Sequence, residues 1–390
     1  MTQPQPFSID VPQAMLDDLQ ARLARTRWPE EIEGASWDYG TNLNTMKGLV
    51  DYWQNGFDWR AQEAMLNQFA QFKVDIDGVG IHFIHVRGKG NAEGANPTPI
   101  ILTHGWPDSF YRYYKIIPML TDPARFGGDS NTSFDVIVPS LPGFGFSDRP
   151  RDRSVTLVKT ADLWFKLMTE VLGYDRFAAG GGDFGSQITR LLALRHPGQV
   201  IGIHLTDIGY AGDPVFPPDL SNLSPAEQGY FGATQGWFYQ EGAYTMIQAT
   251  KPQTLAFGLS DSPVGLAAWI VEKFRTWSDC NGDPANRYSK DELLTNVMIY
   301  WVTETILTSM RPYNQQIDDA DKLQAGQHIE VPAALARFPK DIGMMPPREL
   351  AERSLRIQRW TEMPRGGHFA ALEEPELLAE DIRAFFRELA

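Results

Sequence analysis

Cysteine is almost missing from this chain of 390 residues. Cys280 is the single one, so an internal disulfide and a metal cluster held by several thiolates are excluded, and a reducing compartment is the natural setting. Positive charge is also in deficit. With 35 Lys+Arg against 49 Asp+Glu the formal net charge is -14, so the surface repels phosphate backbones and anionic lipid, and nucleic acid is not an expected partner. No run approaches the roughly 18 apolar residues that span a bilayer. Met1 to Val11 shows neither the basic start nor the apolar stretch of a signal peptide, and the expectation is a cytoplasmic protein without a membrane anchor. What is present is core-forming material: hydrophobic residues make up 43% of the chain, with 11 Trp and 22 Phe. Such a chain folds, and its length allows two to three structural units.

The grammar changes along the chain. Residues 12 to 27, with Met15, Leu16, Leu19 and Leu23 at helical spacing, predict an amphipathic helix ending before Trp28-Pro29. Leu43 to Phe72 repeats the pattern, so residues 1–73 read as an N-terminal helical extension. From Val74 the period drops to two around Asp77-Gly78, the signal of a hairpin. Buried strands at Ile100–Leu102, Val136–Val138, Phe177–Ala179 and Val200–Leu205 then alternate with helices at 160–172 and 186–196. This alternation predicts an α/β protein with a mostly parallel sheet flanked by helices. Pro214, Pro217, Pro218 and Pro225 interrupt it, and helical segments at 264–277 and 293–309 follow. Strands return at 328–332 and 357–360, and a last helix covers 376–389. The division expected is extension 1–73, core 74–212, inserted helical cap 213–327 and core 328–390.

Several stretches carry chemistry. Gly180-Gly181-Gly182-Asp183-Phe184-Gly185 sits between a strand and a helix and fits two patterns. As G-x-G-x-x-G it is a dinucleotide fingerprint, with Asp207 near the position of a ribose-binding acid. As G-x-D-x-G it is a nucleophile elbow carrying Asp183, and a carboxylate there can displace an oxygen or a halide from saturated carbon to form an ester on the enzyme. His104-Gly105-Trp106-Pro107 follows a strand directly, and such a turn can aim backbone N–H groups into a cleft together with that of Phe184. Gly366-Gly367-His368 projects a histidine on a glycine loop, suited to a general base near neutral pH. His82 and His85 point to opposite faces of a strand and form no metal pair, and His196 reads as a helix end. An acid to orient His368 has three candidates, Asp341, Glu330 and Glu373; the chain order nucleophile, acid, histidine favours Asp341.

These stretches, together with Pro142-Gly143-Phe144-Gly145-Phe146-Ser147, Thr250-Lys251-Pro252, Asp261 to Leu266, Leu293 to Asn296 and Arg365-Gly366-Gly367-His368-Phe369, resemble the epoxide hydrolases of the microsomal type. Those are α/β-hydrolases with an N-terminal extension, and the resemblance covers almost the whole chain. It implies that Asp183 is the nucleophile, His368 the base, Asp341 the acid, and Tyr244 and Tyr313 the cap residues that bind and protonate the epoxide oxygen. The N–H groups of Trp106 and Phe184 would form the oxyanion hole. A small hydrophobic epoxide and water are the implied partners, with no cofactor and no metal. The oligomeric state stays open, a homodimer included. Asp108 stands where the family usually has Gly, and Phe184 where it usually has Trp. A haloalkane dehalogenase and a non-catalytic binding protein on the same fold are the competing readings.

Overall fold

The computed structural model describes residues 3–90, 96–208, 223–318, 323–324, 326–342 and 346–389. Nine strands form one sheet among them: β1 Gln5–Phe7, β2 Gln71–Ile76, β3 Val79–Val86, β4 Thr98–Thr103, β5 Phe134–Pro139, β6 Phe177–Gly181, β7 Val200–Leu205, β8 Ile329–Arg337 and β9 Leu355–Glu362. Their spatial order is β1-β2-β3-β5-β4-β6-β7-β8-β9. The pairs up to β3–β5 are antiparallel and all those beyond are parallel. β4, β5 and β6 are mostly apolar or small-residue runs because both faces of the sheet are covered; the exception in β5 is Asp135, which pairs with Arg87. The hairpin turn is Asp77-Gly78, both at positive φ, which matches the right-handed twist of the two strands it joins.

Helices α1 Gln13–Ala24, α2 Leu43–Asn55 and α3 Trp59–Leu66 precede the hairpin. The expected continuous helix over 43–72 is therefore two helices and the start of β2. Asp58 breaks it, its side chain accepting from the N–H groups of Arg60 and Ala61 as a new N-cap. The first 70 residues also contain β1, an edge strand that the helical expectation passed over. Within the core come α4 Ile116–Thr121, α5 Leu157–Lys166, which runs on through a π-turn to Val171, and α6 Phe184–Arg195.

Between β7 and β8 lie α7 Pro225–Glu241, α8 Ala243–Thr250, α9 Pro252–Asp261, α10 Pro263–Thr276, α11 Lys290–Thr303 and α12 Ile306–Asp318. The helix expected over 293–309 is split by Glu304 in the left-handed region, a conformation that gives no sequence signal in a non-glycine residue. The boundary expected at 212/213, with Pro214, Pro217 and Pro218, lies outside the described residues. Helices α13 Arg348–Ala351, α14 Ala370–Glu373 and α15 Pro375–Leu389 complete the chain. Helix α15 buries Leu378, Ile382, Phe385 and Phe386. Each such side chain contributes about 1.5–3 kcal/mol of transfer free energy. Among the described residues no single helix is long and apolar enough to cross a membrane.

The strand order positions the site. β4 lies between β5 and β6, so the chain reverses its winding direction there and a crevice opens at the carboxyl ends of the strands. Thr103 pairs with Gly181, which brings the residues after β4 and those after β6 side by side.

Candidate active site

Asp183 occupies the turn between β6 and α6 with φ 58 and ψ -126, a conformation costing a non-glycine residue on the order of 1–3 kcal/mol. The neighbouring glycines make that turn possible. A Cβ on Gly185 would lie 2.6 Å from the carbonyl carbon of Thr103, and one on Gly181 would meet the backbone of Gly185 at 2.6 Å. The helix start thus runs hard against the end of β4, where only bare backbone fits. The Asp183 N–H donates to Asp207 Oδ2 at 2.7 Å. Its own Oδ1 accepts from the N–H of Trp106 at 3.0 Å and from that of Phe184 at 2.8 Å. Gly105 is required for the same approach, since a Cβ there would lie 2.6 Å from Asp183 Cγ.

His368 faces the other carboxylate oxygen, with Nε2 3.6 Å from Asp183 Oδ2, and its Nδ1 is 2.7 Å from Asp341 Oδ1. The three side chains come from the ends of β6, β8 and β9 and are almost wholly buried. The loop carrying the imidazole is anchored from the inserted helices. The His368 N–H donates to the Trp277 carbonyl at 2.8 Å, and Gly366 N–H donates to Asp279 Oδ2 at 3.1 Å. Gly367 allows this contact, because a Cβ would lie 2.6 Å from the Trp277 carbonyl oxygen.

Aromatic rings wall the site. Tyr244 on α8 stacks on Trp106 with centroids 5.3 Å apart, and Tyr313 on α12 meets Phe184 edge-on at 4.9 Å and Tyr244 at 6.0 Å. Trp277 lies edge-on to His368 at 5.3 Å. Burial, followed by the Asp183 charge, raises the Tyr244 phenol above its ordinary range. Burial, then Tyr244 and Asp183, does the same for Tyr313, so both stay protonated donors at neutral pH.

Burial also raises the Asp183 carboxyl, against the opposing pull of His368 and the two backbone N–H groups. For His368, burial lowers basicity, but the charge and hydrogen bond of Asp341 outweigh it and the net direction is upward. Burial and the Asp341 charge push Asp207 up to about 6.

Asp183, Asp341, His368, Trp106, Phe184, Tyr244 and Tyr313 therefore converge on one site. The rival acids stand elsewhere: Glu330 is exposed and pairs with His328, whereas Glu373 accepts from the N–H groups of Phe369 and Asp279. The dinucleotide reading of the glycine loop gains no support: Asp207 accepts from the Asp183 N–H, and Gly181, Gly182 and Gly185 make their close approaches to Thr103, Thr206 and one another, within the protein. Sequence reasoning missed Arg112, which is buried and paired with Asp108, and it gave Asn296 no role beyond its motif. The Asn296 amide donates to the Pro107 carbonyl at 2.8 Å and so holds the turn after β4. No group of acids, histidines and cysteines suited to a metal ion occurs among the described residues.

A mostly parallel sheet with a carboxylate elbow after β6, a histidine loop after β9 and helices inserted between β7 and β8 defines an α/β-hydrolase. Family comparison agrees: residues 98–334 match the alpha/beta hydrolase fold, and residues 4–113 match the epoxide hydrolase N terminus. A Stigmatella aurantiaca protein provisionally named an epoxide hydrolase is 42% identical, over 98% of this chain and 85% of its own length. Epoxide hydrolase 1 of Sus scrofa is 37% identical, over 97% of this chain and 88% of its own. The solved structure of Aspergillus niger epoxide hydrolase superposes with a TM-score of 0.85 at 31% identity, covering 100% of this chain and 97% of that one. The chain belongs to the epoxide hydrolase family.

Proposed function

We propose that this enzyme converts a small hydrophobic epoxide and water to a vicinal diol through an ester on Asp183. Asp183 Oδ2 attacks a ring carbon from behind, the C–O bond breaks, and the ring oxygen takes a proton from Tyr244 or Tyr313. His368, oriented by Asp341, then removes a proton from water, and the hydroxide attacks Cγ of the ester. Charge collects on Oδ1, where the N–H groups of Trp106 and Phe184 receive it. Collapse releases the diol with Oδ2 as its second hydroxyl oxygen, while the oxygen from water stays on Asp183. The departing alkoxide takes the proton held by His368, and the proton on the new Asp183 carboxyl returns to the phenolate, so that Asp183 is again ionised.

The observation that carries this reading is the division of labour between the two oxygens of Asp183. Oδ1 already sits on two backbone donors, and Oδ2 faces the imidazole at 3.6 Å. A carboxylate serving only as a helix cap would have no need of a second donor from the opposite strand end. The units used in this reading are the extension 1–73, the core 74–212 with 328–390, and the cap 213–327, which supplies the two phenols. The test is a single turnover in oxygen-18 water followed by mass analysis of the peptide bearing residue 183. The expected result is one labelled oxygen in Asp183 after the first turnover; label in the diol alone refutes the ester.

A further inference from the structure

The mechanism above makes no use of two buried ions directly beside it. Asp108 and Arg112 are 0% and 1% exposed. One guanidinium nitrogen, Arg112 Nη1, pairs with Asp108 Oδ2, and the other, Nη2, donates to the His368 carbonyl at 2.6 Å. Asp108 Oδ1 accepts from the Gly105 N–H at 2.9 Å, one residue before Trp106. The guanidinium also passes beneath the elbow, since a Cβ on Gly182 would lie 2.9 Å from Nη2. A single ion pair thereby joins the turn that holds Asp183 Oδ1 to the backbone of the histidine.

Stability alone does not account for such a pair. Desolvating two charges costs about as much as their attraction returns, and apolar replacements are often no worse. The charges around His368 give a second reason. Asp341 and Asp183 face the ring, and Glu373 and Asp207 lie close enough to interact with it. Arg112 is the cation that acts against them, for Lys273 is held by Glu272 and lies 5.7 Å over the Trp277 ring.

We propose that Arg112, held by Asp108, is a positioning residue for the water-activating half of the reaction. It fixes the imidazole relative to the oxyanion turn and restrains the basicity that the surrounding carboxylates would impose. Without the cation, the neutral imidazole that accepts a proton from water would be less populated. The inference rests on the ester reading of the preceding subsection.

The test follows ester formation and ester decay separately, by intact mass in single turnovers between pH 5 and 9. Arg112→Lys and the charge-balanced pair D108N with R112Q are compared with the parent enzyme, styrene oxide serving as the probe and thermal melting as the check of folding. In the double variant, ester should form within about threefold of the parent rate. Its decay should slow on the order of 10- to 100-fold at pH 7, with the midpoint of the decay profile moved upward by about one pH unit. Arg112→Lys, which keeps the charge but not the fork, should return the midpoint and not the full rate. A folded double variant with unchanged decay rate and midpoint overturns the inference, as does an equal fall in formation and decay. Should the double variant fail to fold, Arg112→Lys decides: slowed decay at an unmoved midpoint supports the inference, and parental decay refutes it. Absence of any ester mass in a His368→Gln background overturns the ester reading itself, whereas ester that forms and decays as in the parent overturns only the role of Arg112.

Discussion

Replacing Gly105 by alanine adds a single methyl group at the tightest point of the site. The new carbon would lie 2.6 Å from Asp183 Cγ and closer still to Oδ1, where real side chains keep beyond 3.0 Å. The carboxylate must therefore retreat by roughly 0.7–1 Å to reach ordinary contact. That retreat lengthens the 3.0 Å and 2.8 Å bonds to Trp106 and Phe184 and alters the 3.6 Å approach to His368. Misplacement by about 1 Å typically costs on the order of 100-fold, and loss of one oxyanion donor on the order of 100- to 1,000-fold. The two losses share one cause, so they do not multiply, and kcat/KM should fall on the order of 100- to 1,000-fold, about 3–4 kcal/mol of barrier. Overpacking one methyl should cost roughly 1–3 kcal/mol of stability, so the variant stays folded. Initial rates of diol formation, with melting curves taken alongside, provide the measurement. A folded Gly105→Ala enzyme within tenfold of the parent would mean that Asp183 is not held as described.

The pH profile follows from signs alone. In the proposed reaction ester formation needs Asp183 ionised and ester decay needs His368 neutral; both groups are raised, so each step should climb with pH, the decay through a midpoint above the ordinary histidine value of about 6.5. A midpoint below 6 in single-turnover decay would contradict the assigned pairing with Asp341. Tyr244→Phe and Tyr313→Phe should each slow ester formation roughly 10- to 100-fold, because one phenol can stand in for the other, and the double variant on the order of 100- to 10,000-fold, with ester decay little changed. Equal losses in formation and decay would argue against proton donation to the ring oxygen. Acid stability should depend on Asp381, whose buried carboxylate accepts from His204, Thr361 and Arg359. Burial opposes its ionisation, but these partners hold it down to about 2. A lowered carboxyl contributes fully above its ordinary 3.8 and loses that contribution as pH falls toward 2, about 2 kcal/mol in all. Urea titrations at pH 7 and pH 3 should show Asp381→Asn losing that part of the acid sensitivity; an unchanged difference would refute the linkage.

Much of this was legible because the physics is local. Mostly apolar runs marked β4, β5 and β6, and Asp77-Gly78 marked the hairpin, since turn and burial each leave a short-range imprint. The candidate residues on glycine turns, Asp183 and His368, were visible because close backbone approach demands glycine nearby. Tyr244 and Tyr313 were not visible from the residues: they sit on helices far apart in sequence, and only packing across the site singles them out from 13 tyrosines. Family resemblance supplied them instead. The breaks at Asp58 and Glu304 escaped notice because apolar periodicity runs on through both. Arg112 was hidden for a related reason, since a buried arginine looks in sequence like any exposed one.

The anchoring of His368 to the Trp277 carbonyl gives the enzyme an interlock. The proposed proton acceptor is latched to the inserted segment, while the proposed nucleophile is rooted at the end of the sheet. Any displacement of the Trp277 backbone away from the sheet would carry the imidazole with it, because His368 hangs on that carbonyl. In the proposed reaction, hydrolysis of the ester would then depend on a contact made by the inserted segment and not by the sheet alone.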